Sequence, residues 1–297
     1  MIRRPYALPK NRGKYPPSVT TILNALGTGD GLKFWTADIV AAYAVDHADH
    51  WQHLSRDDAF TKLRRLHMAE TAAAAERGTI VHAVNEAWSD GQEVDIAELV
   101  YDAANRDRSP IAMWQGREEY VVAAIDRYVD ALEQFWCDHS PVTVGSEEVV
   151  RHDAGPRSSQ SFIGQRDWTC RIKDVDGVSL LDLKTIDKAT TPKEPFKGVY
   201  LEKYRLQLAA YRGAQEIVSF DDDGNETGTK AAYPINQAMV LALRSDGSYQ
   251  LLEVRAGGDE FAHFLRLTDM HHWVTKGCKT PPPVDRTIYK ATEETAA

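Results

Sequence analysis

"SLLDLKTIDK", residues 179–188, sets two charged groups inside an apolar run. Leu180, Leu181, Leu183 and Ile186 read as a buried strand. Residues two apart in a strand point to the same side, so Asp182 and Lys184 share one face and Leu181 and Leu183 the other. A charge in such a place is costly unless it is paired or holds a metal. Taken alone, the dipeptide reads as a structural ion pair, and the flanking sequence has to decide.

Upstream, "PVTVGSEEVV" (141–150) and "SFIGQRDWTCRIKD" (161–174) alternate as strands do, and "DVDG" (174–177) is a hairpin signal. Glu148 shares its face with Val144 and Val150 and reads as half-buried, with Glu147 turned the other way. Asp167 lies within an apolar alternating strand. A two-residue turn at Asp176-Gly177 would set Asp182 opposite Arg171 and leave Asp167 four residues further on, roughly 13 Å away. Bringing the two acids together requires a longer turn, a bulge or a strong bend.

Downstream, "YLEKYRLQLAAYRGAQEIVSF" (200–220) reads as a helix. Gln207 and Tyr211 are four apart and share a helix face, with Tyr204 one turn earlier. "QAMVLALRSDGSYQLLEV" (237–254) is strand, turn, strand, and "DEFAHFLRLTDMHHWV" (259–274) a last helix. Residues 18–139 read as mostly helical, with Ser18 as a cap and Val121, Ile125, Tyr128, Leu132 and Phe135 on one stripe. The organisation predicted is a helical region with a basic arm over 1–140, an α/β core over 141–284 and a tail over 285–297.

The 297 residues are 43% hydrophobic and 27% charged, enough for an ordinary core. No run of about eighteen apolar residues and no secretory h-region are present, which predicts a cytoplasmic protein without a membrane partner. Cys137, Cys170 and Cys278 are too few for a four-cysteine cluster and fit a reducing compartment. The net charge of −9 speaks against a passive nucleic-acid coat. Basic residues nevertheless gather in the arm (Arg3, Arg4, Lys10, Arg12, Lys14) and between Lys184 and Arg205, Lys188 included.

Hydrolysis of a phosphodiester with a divalent metal needs hard oxygen ligands and a group that assists water or neutralises charge. Glu148, Asp167, Asp182 and Lys184 offer that combination in one small sheet. His82 and Glu86 stand at i, i+4 with Arg77 one turn before, but the second histidine of a zinc-protease helix is missing. A lone helical histidine is more often packed or surface-exposed than a ligand.

The order of features is more specific than any one of them. "RGTIVH", a strand Glu, "GQRD", "DLKT" and "QLAAY", spanning residues 77–211, together resemble the RecB-like branch of the PD-(D/E)XK nuclease superfamily. "PSVTTIL" and "FWTADIVAAYAV" are similar to segments of phage-encoded exonucleases of that branch. The resemblance implies a restriction-endonuclease-like α/β fold: a mixed sheet core with flanking helices, and a helical N-terminal region closing over the site. It implies Mg²⁺ or Mn²⁺ held by His82, Asp167, Asp182 and the Leu183 carbonyl, with Glu148 supporting the metal or a bound water. Lys184 would be the catalytic lysine, and Gln207, Tyr211, Arg77 and Lys188 would position it and the DNA.

CRISPR-associated relatives carry four cysteines around an iron–sulfur cluster, and the three here predict none. No phosphate-binding G-x-x-x-x-G-K-[ST] is present, so no nucleotide is expected. The function expected is a DNA exonuclease of recombination or replication in a bacterial or phage-infected cytoplasm. A single-strand-annealing recombinase or a helicase would be its partner, and an oligomer is compatible with such enzymes. The alternatives are a structure-specific or CRISPR-adaptation-type endonuclease and a non-catalytic DNA-end-binding or inhibitor protein.

Overall fold

The strand that carries Asp182 and Lys184, β3 (Ser179–Ile186), is an interior strand of a seven-stranded sheet. A computed structural model describes residues 4–27, 29–106, 111, 115–155, 158–186 and 199–277. The other strands are β1 (Val142–His152), β2 (Phe162–Arg171), β4 (Glu216–Phe220), β5 (Glu226–Ala231), β6 (Gln237–Arg244) and β7 (Tyr249–Glu253). Their spatial order is β5-β4-β1-β2-β3-β6-β7, antiparallel except for the parallel pair β3–β6. A parallel pair needs a crossover, and helix α6 (Val199–Gly213) lies on it.

The helical first part comprises α1 (Val19–Leu23), α2 (Gly29–Asp46), α3 (Arg56–Ser89), α4 (Ile96–Asn105) and α5 (Glu118–His139). Ser18 caps α1 by accepting from the Thr21 amide at 3.2 Å. Helices α3, α4 and α5 cover one face of the sheet, on Trp168, Cys170, Leu181, Leu183, Met239 and Leu241. Helices α1, α6 and α7 (Gly258–His272) cover the other, on Val150, Phe162, Leu180, Ala238 and Val240. The result is a mixed sheet between two helical layers, as expected from the sequence. Alternation along β3 therefore delivers Leu181 and Leu183 to the first layer and Asp182 to the second.

Two details differ from the sequence reading. The helix ends at Gly213, and Glu216–Phe220 forms β4. Ile217 and Val218 are both buried, in different clusters, which a strand between two layers permits and a one-sided helix does not. A turn over Asp221–Asn225 then leads into β5, an edge strand exposed at every residue and hence without the buried alternation that marks a strand in sequence.

The β2–β3 hairpin also lacks the tight two-residue turn. Cys170, Thr169 and Trp168 pair with Ser179, Leu180 and Leu181. The longer connection brings Asp167 level with Asp182 and removes the predicted separation of the two acids. No helix among the described residues is long and apolar enough to cross a membrane. The tail at 285–297, Cys278 and Lys188 lie outside the described residues.

Candidate active site

Asp182 is 2% exposed, and its two oxygens face different partners. Oδ1 accepts from Gln207 Nε2 at 3.0 Å, and Oδ2 lies 2.7 Å from Lys184 Nζ, a charge contact outside hydrogen-bond geometry. Lys184 Nζ also donates to the Leu183 carbonyl at 3.2 Å and sits 5.4 Å from the Tyr204 ring centroid. Helix α6 thus presents Tyr204, Gln207 and Tyr211 along one stripe to β3, and Gln207 Nε2 reaches the Tyr211 hydroxyl at 3.4 Å. Gly164 leaves room for that tyrosine, since a Cβ there would lie 2.6 Å from the Tyr211 ring. The glycine of "GQRD" and the tyrosine of "QLAAY" are two halves of one contact.

On the other side of β3, α3 brings His82 to the sheet. Its Nδ1 is 3.1 Å from Glu147 Oε1, and its Nε2 is 3.3 Å from the Leu183 carbonyl oxygen and 3.7 Å from Asp167 Oδ2. Asp167 Oδ2 accepts from the Leu183 amide at 2.9 Å, a clasp where the β2–β3 ladder stops. His82, Glu147 and Asp167 each offer a ligand atom within 4.8 Å of the others. One imidazole nitrogen, two carboxylates and an adjacent carbonyl oxygen form a donor set that suits a divalent cation.

Electrostatics agree with that reading. Burial opposes protonation of His82, but Asp167 and Glu147 outweigh it and move its pKa upward. Burial pushes Asp182 up, Asp167 adds to this, and Lys184 opposes it. Lys184 is raised against the effect of burial by Asp182 and Asp167, so it is a cation at neutral pH. Burial likewise holds the Tyr211 hydroxyl well above its ordinary range. The arrangement attracts positive charge and keeps its lysine charged.

Of the residues expected at a site, the structure gathers His82, Asp167, Asp182, the Leu183 carbonyl, Lys184, Gln207 and Tyr211. Arg77 lies on α3 five residues before His82, partly buried.

Glu148 is not brought there. Its Oε2 accepts from Arg166 Nη2 at 2.6 Å, Arg166 Nε at 3.0 Å and the Tyr233 hydroxyl at 2.5 Å, on the face of the sheet away from His82. Glu147 takes the place at the cluster. It has φ 50°, the left-handed region that side chains other than glycine rarely enter. Gln165 holds it there, donating to Glu147 Oε2 at 2.9 Å and to its carbonyl at 3.1 Å. Gln165 in turn accepts from the Arg4 amide at 2.9 Å, tying the N-terminal arm to the site.

Sequence reading missed Glu147 and Gln165 because simple alternation assigns the faces. The available signal was the Glu147-Glu148 doublet, two acids in succession on a buried strand.

Residues 55–240 match the sequence model of the PD-(D/E)XK nuclease superfamily. That span runs from α3 with His82 through β3 and α6 to β6. None of the curated proteins compared matches the chain significantly. Among solved structures, 17 chains match. One is titled "Crystal structure of SSO0001", with 13% identity, a TM-score of 0.31, and coverage of 60% of this chain and 75% of that one. On the family match, which covers more than half of its length, the chain belongs to the PD-(D/E)XK nuclease superfamily.

Proposed function

We propose that the chain is a divalent-metal-dependent deoxyribonuclease of the RecB-like branch, and an exonuclease in particular. The observation that carries this is the meeting of His82, Glu147 and Asp167 beside the Asp182–Lys184 strand. His82, Asp167, Asp182 and the Leu183 carbonyl would hold Mg²⁺ or Mn²⁺, with Glu147 in the supporting position expected of Glu148. The bound cation would stabilise charge on the phosphoryl oxygens.

The chain's own groups do the rest. Lys184, held as an ammonium by its acidic neighbours, donates to the phosphate region and acts as an electrostatic group, not as a base. Gln207 fixes the Asp182 carboxylate so that its other oxygen faces Lys184. Tyr204 beneath the ammonium, and Tyr211 packed on Gly164, restrict where that charge sits. Arg77 and Lys188 would meet the DNA backbone.

The arm supports a chain end over an internal bond. Arg4 is tied to Gln165, and Tyr6 packs on Val149, Ile163 and Val218. Beyond Glu147 a recess of about 320 Å³ runs past Pro5 to Phe220 and Asp222. Place in recombination or replication, with an annealing recombinase or a helicase as partner, belongs to the same reading.

The test is digestion of end-labelled linear duplex and of circular single-stranded DNA with Mg²⁺, Mn²⁺ or EDTA. Metal-dependent loss of the linear substrate only is the expected result. Lys184→Ala should slow it about 10²–10³-fold with the fold retained by circular dichroism. Cutting of the circle would make the enzyme an endonuclease. Full activity in Lys184→Ala would overturn the assignment of the site.

A further inference from the structure

Behind the cluster, on the opposite face of β1 and β2, lies a second set of buried polar side chains that the chemistry does not use. Arg166 is 1% exposed, and its guanidinium carbon lies 4.5 Å from the Tyr233 ring centroid. The Thr169 hydroxyl contacts the Tyr233 hydroxyl, donates to the Gly145 carbonyl at 3.1 Å and reaches Glu148 Oε2 at 3.4 Å. One carboxylate oxygen of Glu148 thus collects donors from Arg166 and Tyr233, with the Thr169 hydroxyl close beside it.

The spacing of these residues is irregular. Arg166 and Thr169 are three apart on β2, yet both reach the same carboxylate. Gly145 and Glu148 are three apart on β1, yet a Cβ on Gly145 would lie 2.2 Å from the Glu148 carboxyl carbon. Residues three apart in a regular strand point to opposite faces. Alternation is therefore broken between them, at Glu147 with its left-handed backbone.

The register agrees: Ser146–Trp168 and Glu148–Arg166 are paired, and the ladder skips Glu147 and Asp167 between them. The kink turns Trp168 and Asp167 toward the same helical layer. Trp168 stacks there on Trp136 at 5.2 Å, and Asp167 meets His82. The polar set on the back spans the kink and ties its two sides together.

We infer that Glu148, Arg166 and Tyr233 form a positioning lock that sets the divalent-cation affinity of His82, Glu147 and Asp167 by holding the kink at Glu147. The lock touches neither substrate nor cation and acts only through Glu147 and Asp167. If it is released, Glu147 can relax to an extended backbone, and the strand beyond it must then exchange faces. The inference rests on the proposed metal-holding role of the cluster.

The experiment is Mn²⁺ binding followed by electron paramagnetic resonance in wild type, Tyr233→Phe, Glu148→Gln, Glu147→Gln and the double variants. Tyr233→Phe removes one hydroxyl and keeps the ring over Arg166, so it guards against simple misfolding. Each lock variant is expected to weaken Mn²⁺ about tenfold or more, the scale seen for partners that orient metal ligands. Adding Glu147→Gln to a lock variant should cost less than Glu147→Gln does alone, because both act on one group. Unchanged affinity in Tyr233→Phe and Glu148→Gln, or factors that simply multiply, would overturn the lock while leaving the cluster standing. A wild type that binds no Mn²⁺ would overturn the metal reading and the lock together.

Discussion

Asp182–Lys184 on β3 and Glu148–Arg166 across β1 and β2 are ion pairs of one sheet built for different ends. Glu148–Arg166 is closed: the arginine is 1% exposed, donates through two nitrogens, and the carboxylate is shared with Tyr233. Asp182–Lys184 is open on one side. The aspartate is buried and held by Gln207, while the lysine, set against the Asp182 carboxylate, remains 27% exposed. A charge that must meet a substrate has to stay accessible, whereas a charge that holds a backbone can be sealed from solvent. The difference separates a structural pair from a chemical one where sequence alone could not.

Breaking the closed pair should have the largest effect. Arg166→Met leaves the Glu148 carboxylate buried without its partner and should cost about 3–5 kcal/mol of stability in urea unfolding. A loss below about 1 kcal/mol would mean that water reaches the carboxylate and that the pair is not closed.

The open pair is sharpened by the cation. Mn²⁺ at a hundred times its Kd should raise the stability of the wild type by about 2.7 kcal/mol. In Asp167→Asn, with a ligand removed, the same concentration should add much less. Equal stabilisation in both would place the ion elsewhere.

A smaller effect is expected from Gly145→Ala. The new Cβ would overlap the Glu148 carboxyl, and overpacking of this kind costs typically about 1–3 kcal/mol. Combined with Glu148→Ala, which clears the space, the penalty of the glycine replacement should disappear in the double-mutant cycle.

Much of the candidate site was legible in the sequence. The apolar setting of Asp182 and Lys184 marked β3, and the four-residue spacing of Gln207 and Tyr211 placed both on one face of α6. His82 became informative only through the order of motifs, since nothing in its own helix marks it. The choice between Glu147 and Glu148 was not legible, because alternation sends the two to opposite faces, as the structure does, without saying which face carries His82. The level placement of Asp167 and Asp182 was hidden for a different reason. Hairpin register is set by loop length, and the connection here is longer than its Asp-Gly signal implies. Strand β5 gave no signal because none of its residues is buried.

That last property has a bearing on solubility. Among the described residues β5 ends the sheet, so its outer side presents backbone N–H and C=O groups that could template another chain. Lys230 stands in this strand, Arg151 draws Glu226 into an ion pair at its start, and its pairing with β4 is irregular at Phe220. A charged side chain and a local irregularity are the features that discourage edge-to-edge growth. Replacing Lys230 by an apolar residue would leave the folded core untouched and remove one of the guards that keep concentrated protein from pairing along this edge.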